Sequence, residues 1–231
     1  KRLSRHYDDV LDPILLRARQ ATDHFLLIGP PGTGKTSRAL RFIVEEELSD
    51  EKGQVLLMSY TNRAVDEICS MLCDAGIDFI RIGGEWSCDP RFRPRLISHA
   101  IDSDAHLDTI ATKIRSVRVI VGTTSTLMSR PFLFAIKRFS LAVIDEAGQI
   151  TEPNIVGLLA THTAGADPQQ LIGRFILIGD YKQLPAVVQQ SEQESAVDDA
   201  LLLGAGIRNC RDSLFERLIR HERASGREQF I

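Results

Sequence analysis

Short apolar runs alternate along the chain with longer segments in which apolar and charged positions recur at helical spacing. The apolar runs are HFLLI (24–28), QVLLMSY (54–60), VRVIVG (117–122), LAVID (141–145) and RFILIGD (174–180). Residues 35–48, 62–75 and 212–221 are predicted helices. Continuous apolar strands alternating with helices are typical of a mostly parallel sheet covered on both faces. We therefore predict an α/β fold whose ligand site lies beyond the carboxyl ends of the strands.

Two stretches interrupt this alternation. Residues 83–104 contain two prolines and a cluster of arginines, and we expect an excursion from the sheet there. Arginines interleaved with aromatic residues suit a path for single-stranded nucleic acid, although a solvated, proline-bent loop is the favoured interpretation. Residues 189–209 are polar and then rich in leucine and glycine, which predicts a mobile connecting segment.

The composition narrows the class of protein. The 231 residues are 43% hydrophobic and 26% charged, as in globular proteins, and no apolar run approaches the roughly 20 residues of a membrane span. The net charge of -3 does not indicate a nucleic-acid binder, but it is compatible with a local basic groove. The chain begins with lysine and shows no signal peptide, so we expect it to be a segment of a longer protein.

The cysteines indicate a cellular compartment for the protein and do not indicate a metal site. Cys69, Cys73, Cys88 and Cys210 include no second close pair that would complete a metal site. Scattered free thiols are typical of a reducing compartment. We expect a cytoplasmic protein, intracellular in any case, with a nuclear location left open.

A phosphate-binding loop follows the first apolar run. GPPGTGKTS fits the pattern G-x-x-x-x-G-K-[ST] and stands between a predicted strand and a predicted helix, as the mechanism requires. Lys35 is expected to reach the β- and γ-phosphates, and the Thr36 hydroxyl to bind Mg²⁺. Backbone N–H groups of the loop and the helix N-terminus complete the cradle. The predicted nucleotide-binding residues are Gly29, Pro30, Pro31, Gly32, Thr33, Gly34, Lys35, Thr36 and Ser37.

Two adjacent carboxylates end the fourth apolar run, within LAVIDEAGQITEP (141–153). An acidic pair at a strand end is often only a solvated cap. Together with the upstream loop, however, Asp145 is expected to hold the Mg²⁺ shell. Glu146 is then placed to act as general base on the attacking water.

The loop GPPGTGKT also occurs in AAA+ ATPases, and later segments narrow the choice. The chain resembles superfamily 1 helicases, in the branch containing the nonsense-mediated-decay helicase and nuclease-linked replication helicases. The matching segments are GPPGTGKT (29–36), SYTNRAVDEI (59–68), VGTTSTL (121–127), VIDEAGQITEP (143–153), LIGDYKQLPAVV (177–188) and SLFERL (213–218). They occur in order over most of the chain and imply a RecA-like domain.

The resemblance also implies roles for individual residues. Gln149 and Gln183 would sense the γ-phosphate of ATP, and Asp180 would stabilise that network. Thr61 and Asn62, together with Thr123, Thr124 and Ser125, would contact the backbone of a single strand. Small hydroxyl and amide groups at strand ends can grip phosphates without reading bases. Thr61 and Ser125 could equally be helix N-caps, and both roles can hold.

The resemblance implies that this chain is one half of a motor. Residues 1–231 would form the first RecA-like domain, with 189–231 beginning the connection to a second domain that supplies arginine fingers. Alone, the chain is expected to bind nucleotide but to hydrolyse it poorly. ATP is the favoured nucleotide; the adenine reader would be Gln20, a residue before Lys1, or absent.

Two other classes stay open at this point. One is an AAA+ or other remodelling ATPase that acts on protein, and the other is a nucleotide-switched module that binds nucleic acid without unwinding it. The resemblance implies 5′-to-3′ movement, which the residues themselves do not show. Neither DNA nor RNA is favoured by the residues, and no membrane partner is expected.

Overall fold

Six strands form one sheet in the computed structural model, which describes residues 2–29, 35–100, 106–161, 169–180 and 188–227, with backbone alone for 35–37. The strand order is β1-β6-β5-β2-β4-β3, and every pairing is parallel. The strands are β1 His24–Ile28, β2 Val55–Ser59, β3 Ile80–Ile82, β4 Val119–Thr123, β5 Leu141–Ile144 and β6 Phe175–Gly179. The α/β class is confirmed, and so are all five predicted strands. Strand β3 was missed because a charged residue, Arg81, stands at its centre.

Ten α-helices connect or cover these strands within the described residues. They are α1 Asp12–Gln20, α2 Arg41–Leu48, α3 Asn62–Asp74, α4 Ile97–Ala100, α5 Leu107–Ser116, α6 Thr124–Met128, α7 Phe132–Ile136, α8 Val156–Leu159, α9 Ala200–Gly204 and α10 Leu214–Ala224. The predicted helix at 35–48 is divided, because Lys35–Leu40 is a π-helical turn that leads into α2. None of these helices is long and apolar enough to cross a membrane.

The core has two layers, one on each face of the sheet. Alternate strand residues point to opposite faces, so Leu57 and Val143 pack with α1, α2 and α3, whereas Met58 and Ile144 pack with the later helices. The strands are buried on both faces, which explains why they read as continuous apolar runs. Helices on both faces are confirmed.

The excursion after β3 is a folded part of the domain. It contains two 3₁₀ turns, Glu85–Ser87 and Pro90–Arg95, followed by α4. Arg81 is 1% exposed, forms an ion pair with Asp66 and donates a hydrogen bond to the carbonyl of Ser87 at 3.1 Å. Arg81 therefore holds the excursion onto α3, and its guanidinium is not available to a nucleic-acid strand.

Helix α10 closes the second face of the sheet. The Ser213 hydroxyl accepts a hydrogen bond from the backbone N–H of Glu216 at 3.1 Å and caps the helix. Arg217 forms an ion pair with Glu152, with its Nε 2.7 Å from a carboxylate oxygen, and also donates to the carbonyl of Ala205. The guanidinium of Arg217 thus links three parts of the chain, namely the segment after the acidic pair, α9 and α10.

Candidate functional site

The carboxyl ends of the strands bring the predicted site residues to one edge of the sheet. The backbone N–H of Gly29, just after β1, donates to the carbonyl of Gly179 at the end of β6 (3.2 Å). The N–H of Asp145, just after β5, donates to the carbonyl of Met58 in β2 (2.8 Å). Strand β6 lies between β1 and β5, and neighbouring strands are about 4.8 Å apart, so the ends of β1 and β5 are about 10 Å apart.

Most of the phosphate loop lies outside the described residues. Residues 30–34 are not described, and the side chains of Lys35, Thr36 and Ser37 are likewise outside, as is Gln183 within 181–187. The described backbone places the loop between β1 and the turn Lys35–Leu40. This arrangement of strand, loop and helical turn agrees with the sequence motif.

The two carboxylates have different surroundings. Asp145 is 4% exposed, and its Oδ1 accepts a hydrogen bond from the N–H of Glu146 at 3.0 Å. Glu146 is half-buried and has φ 55°, the only positive φ among the described non-glycine residues. A non-glycine residue in the left-handed region costs about 1–3 kcal/mol, and such residues cluster at functional sites.

Ser59 contacts the carboxylate of Glu146, and sequence reasoning missed it. Its hydroxyl lies 3.2 Å from Glu146 Oε2 and 3.2 Å from the carbonyl oxygen of Asp145, and it can donate to either. Burial raises the pKa of Glu146, the charge of Asp145 acts in the same direction, and the hydrogen bond from Ser59 opposes them. A carboxylate with a raised pKa is better matched to general-base work near neutral pH. The signal that could have found Ser59 is its place as the last residue of β2.

Gln149 lies on a 3₁₀ turn, Ala147–Gln149, that packs against the end of β6. A Cβ atom at Gly179 would come within 3.1 Å of the backbone nitrogen of Gly148 and 3.0 Å of the Phe215 ring. A glycine is required at this close approach. The turn that carries Gln149 therefore lies against the strand that leads into Asp180, which is half-buried.

The predicted nucleic-acid residues occupy two adjacent strand ends. Ser59 of β2 pairs with Thr123 of β4, so the two loops that follow these strands are neighbours. The Thr61 hydroxyl accepts from the N–H of Ala64 at 3.1 Å and caps α3, while Asn62 is exposed. Thr61 is therefore an N-cap, one of the two roles considered for it.

The second loop differs from expectation in its cap. Helix α6 is capped by Thr123, whose hydroxyl accepts from the N–H of Thr126 at 3.2 Å, and not by Ser125. The cap falls there because β4 ends at Thr123 and the helix begins directly after it. Thr123 and Thr124 are 5% and 2% exposed, so Ser125 is the residue of this trio whose side chain is open to solvent.

A groove of about 570 Å³ lies beside the loop that follows β2. Tyr60, which is 40% exposed, forms part of its wall. The other walls come from the segment after the acidic pair, from 188–196 and from Cys210. Because these segments are far apart in sequence, no local pattern predicts the groove.

Among the described residues, Asp145 is the one candidate magnesium ligand that the sequence analysis predicted at this edge, and no cluster of three or more His, Cys, Asp or Glu accompanies it. Mg²⁺ prefers hard oxygen ligands such as carboxylates and hydroxyls. Asp145 presents a buried carboxylate at the end of β5. The hydroxyl of Thr36, predicted as its partner, lies outside the described side chains.

Comparison with known proteins gives one family and a set of longer relatives. A family model described as AAA domain matches residues 7–118 and 102–191. The chain is 33% identical over 204 residues to the DNA replication ATP-dependent helicase/nuclease JHS1 of Arabidopsis thaliana. This alignment covers 88% of the chain and 13% of that protein. The chain is also 34% identical over 213 residues to the DNA replication ATP-dependent helicase/nuclease DNA2 of Mus musculus, covering 90% of the chain and 17% of that protein.

The chain therefore spans less than a fifth of the length of either of these relatives. Among solved structures, the UvsW helicase of bacteriophage T4 is similar over 76% of this chain and 53% of that one. The TM-score is 0.47 and the identity 14%, a likeness too distant to bear on function.

Proposed function

The chain belongs to the AAA domain family, and from that membership we propose that it is the first RecA-like motor domain of an ATP-dependent, superfamily 1 helicase. One observation carries the proposal. The strand that leads into the phosphate loop and the strand that leads into Asp145 and Glu146 are separated only by β6, which leads into Asp180. This strand order supports a site in which the phosphate loop and Glu146 would approach the γ-phosphate from neighbouring strand ends.

The proposed reaction is in-line attack of water on the γ-phosphate of ATP. Glu146 accepts the proton of the water, and burial favours this role because it raises the pKa of the carboxyl group. Lys35 balances charge on the phosphates, and Gln149 orients the water. Bound Mg²⁺, held by Thr36 and by Asp145 through its shell, would neutralise charge on the phosphate oxygens.

Further residues complete the proposed nucleotide site. Asp180 and Gln183 couple the γ-phosphate to movement of the domain. Gln20, exposed at the end of α1, is the candidate within this chain for reading adenine. The non-proline residues from Gly29 to Ser37 would bind the phosphates through their backbone N–H groups.

Single-stranded DNA is proposed to bind across the two loops that follow β2 and β4. This surface of the protein is called the proposed track. Asn62 and Ser125 offer exposed polar groups to phosphates, and Tyr60 adds an exposed aromatic face beside them. The resemblance between this chain and proteins named as DNA replication helicase/nucleases favours DNA over RNA. It also favours a helicase over an ATPase that remodels proteins.

The proposed motor needs a second RecA-like domain of the same polypeptide. Residues 1–231 would form the first domain, with 83–104 as its excursion and 189–231 as the start of the connection. ATP would bind between the two domains, with arginine fingers supplied by the second. Free thiols at all four cysteines support a reducing, intracellular location.

The proposal is tested by ATP turnover of the intact protein with and without single-stranded DNA. Wild type is expected to hydrolyse ATP faster when the strand is present, and Lys35→Ala and Glu146→Gln to abolish turnover with the fold intact. Retained turnover in both variants would contradict the assignment. Residues 1–231 alone should bind a fluorescent ATP analogue yet hydrolyse ATP slowly, and fast strand-stimulated turnover by this segment would contradict the need for a second domain.

A further inference from the structure

The groove beside the loop after β2 has walls that the fold itself holds in position. On one side, Thr151 forms an antiparallel bridge with Ser213. On the other side, the N–H of Cys210 donates a hydrogen bond to the carbonyl of Ser195 at 2.9 Å. Both walls are therefore linked to the same short segment, 210–213. A preformed groove of about 570 Å³ lies in the size range of sites that bind small ligands or parts of larger ones.

The lining of this groove is polar without being basic. The amide side chains of Asn154, Gln189 and Gln190 contribute to it, together with the aromatic ring of Tyr60. Among the described lining residues, Glu194 is the only one that carries a charge. Proteins bind phosphates mainly with arginine, lysine and backbone N–H groups, and a carboxylate repels them. The lining therefore suits an uncharged, planar group with polar edges, which is the description of a nucleobase.

Glu194 is held as a hydrogen-bond acceptor at the groove. Its Oε2 accepts from the N–H of Ser191 and from the Ser191 hydroxyl, both at 2.8 Å. The hydrogen bond from the N–H, and then the one from the hydroxyl, lower the pKa of Glu194. An ionised carboxylate accepts hydrogen bonds and donates none. Glu194 thus offers a fixed acceptor to a ligand that carries an N–H group.

Tyr60 joins the groove to the proposed track. Its ring is 40% exposed on the groove wall. The next residues along the chain, Thr61 and Asn62, belong to the loop and helix that follow β2. A nucleotide whose phosphate contacts Asn62 can therefore direct its base toward Tyr60. Every base has a π-face that can stack on an aromatic side chain.

We propose that the groove binds one unstacked nucleobase of single-stranded DNA, with its ring against Tyr60 and its exocyclic amino group donating to Glu194. Cytosine and adenine present such an amino group on the edge that thymine occupies with a carbonyl oxygen. The groove therefore favours amino-bearing bases over thymine. The inference rests on the proposed function, in which single-stranded DNA lies on the proposed track, and it adds a base preference to contacts that otherwise involve phosphates.

The first test compares labelled oligo(dC) and oligo(dT) of equal length, by fluorescence anisotropy with the intact protein. Wild type should bind oligo(dC) about two- to tenfold more tightly, the value of one hydrogen bond. Glu194→Gln should bring the ratio of the two Kd values close to one, because an amide can donate to the thymine carbonyl as well as accept from the cytosine amino group.

Two further variants serve as controls for charge and for stacking. Glu192→Gln removes the same charge from the same turn, but Glu192 does not line the groove, so the ratio should stay at the wild-type value. Tyr60→Leu should weaken binding of both strands by about fivefold or more, the value of one base–aromatic stack. Tyr60→Phe, which keeps the ring, should bind both strands with nearly wild-type affinity.

The second test uses the thiol of Cys210, which lines the groove, and needs no substitution. Cys210 and Cys73 are both exposed, and Cys73 is not part of the groove. Alkylation by iodoacetamide is followed at each cysteine by mass spectrometry of peptides. With oligo(dC) at about ten times its Kd, alkylation of Cys210 should slow by about tenfold, because the occupied groove excludes the reagent. Alkylation of Cys73 should keep its rate.

The outcomes separate this inference from the function on which it rests. If wild type binds neither strand and its ATP turnover does not respond to them, the proposed function fails. If wild type binds both strands equally well, or Glu194→Gln keeps the preference for oligo(dC), the base site fails and the function stands. Alkylation of Cys210 at the same rate with and without saturating strand would show that DNA does not enter the groove, and would likewise overturn the inference.

Discussion

The two edges of the sheet use polar residues in different ways. At the amino edge, Arg118 donates to the carbonyls of Leu48 (3.0 Å), Asp50 and Gly53 (2.9 Å). Lys137 donates to the carbonyl of Val117 at 2.7 Å. Both cationic side chains donate hydrogen bonds to backbone carbonyls. These polar residues therefore stabilise the fold by linking one part of the backbone to another.

At the carboxyl edge the polar residues face one another. Asp145 and Glu146 are adjacent like charges, the second has a strained backbone, and the Ser59 hydroxyl stands between two acceptors. A polar residue at a strand end is thus weak evidence of a site by itself. The stronger evidence is an acidic group held by other side chains in a geometry that costs free energy.

The largest expected effect at the carboxyl edge is the loss of the proposed general base. Glu146→Gln should lower ATP turnover of the intact protein by about 10²–10⁴-fold, because removal of a general base costs that much. The thermal unfolding midpoint should hardly change. Glu47→Gln is the matched control, since Glu47 pairs with Arg174 at the amino edge. Turnover that falls equally in both variants would remove the distinction between the edges.

The largest expected effect at the amino edge is on stability. Arg118→Ala removes a donor from three carbonyls, of which that of Asp50 still accepts from the N–H of Gly53, and should lower the free energy of unfolding by about 2–3 kcal/mol. Urea denaturation measures the loss. ATP turnover per folded molecule should stay at the wild-type value, and a specific catalytic defect would show that this edge also serves the site.

The next prediction concerns the pH dependence of stability. Burial, and then the charge of Arg118, lower the pKa of Lys137 from 10.5 to about 8. Between about pH 8 and 10.5 the unfolded chain binds the extra proton, so the contribution of Lys137 to stability rises with pH in that window. The rise approaches about 3 kcal/mol at most, since one pKa unit corresponds to about 1.4 kcal/mol.

Lys137→Met should remove this rise. Urea denaturation at about pH 7.5 and 9.5 would compare the two proteins. An unchanged difference between the two pH values in the variant would assign the pH dependence to another group.

The smallest expected effect is on strand affinity. Ser125→Ala should weaken binding of single-stranded DNA by about two- to tenfold, the value of one hydrogen bond, without sequence preference. Fluorescence anisotropy of a labelled strand measures this. Thr61→Ala gives the contrast, because loss of the α3 cap should cost about 1 kcal/mol of stability. Unchanged affinity in Ser125→Ala would take that serine off the proposed track.

Much of the fold could be predicted because it rests on local patterns. Buried parallel strands produce continuous apolar runs, and five were recognised. Strand β3 escaped because Arg81 interrupts it, and the partner that neutralises Arg81, Asp66, lies on another element. A charge buried through a tertiary contact has no signature in the neighbouring sequence.

The candidate site shows the same distinction between features that depend on local sequence and features that depend on tertiary contacts. Asp145, Glu146 and Gln149 were predicted as site residues from a motif, because their proposed chemistry depends on spacing along one strand end. The contact between Ser59 and Glu146 was not, since it joins residues 87 positions apart. Nor does sequence predict the left-handed backbone of Glu146 or the cap at Thr123, both of which depend on where a strand stops.

The most direct test of the account is ATP turnover of the intact protein, titrated with single-stranded DNA, in wild type and Glu146→Gln. We predict a saturable rise in kcat for wild type, and for the variant a turnover lower by about 10²–10⁴-fold at every DNA concentration. The variant should still bind a fluorescent ATP analogue. Wild-type turnover that does not respond to DNA, or a variant that hydrolyses ATP at close to the wild-type rate, would contradict the claim that the carboxyl edge is the catalytic site of a nucleic-acid motor.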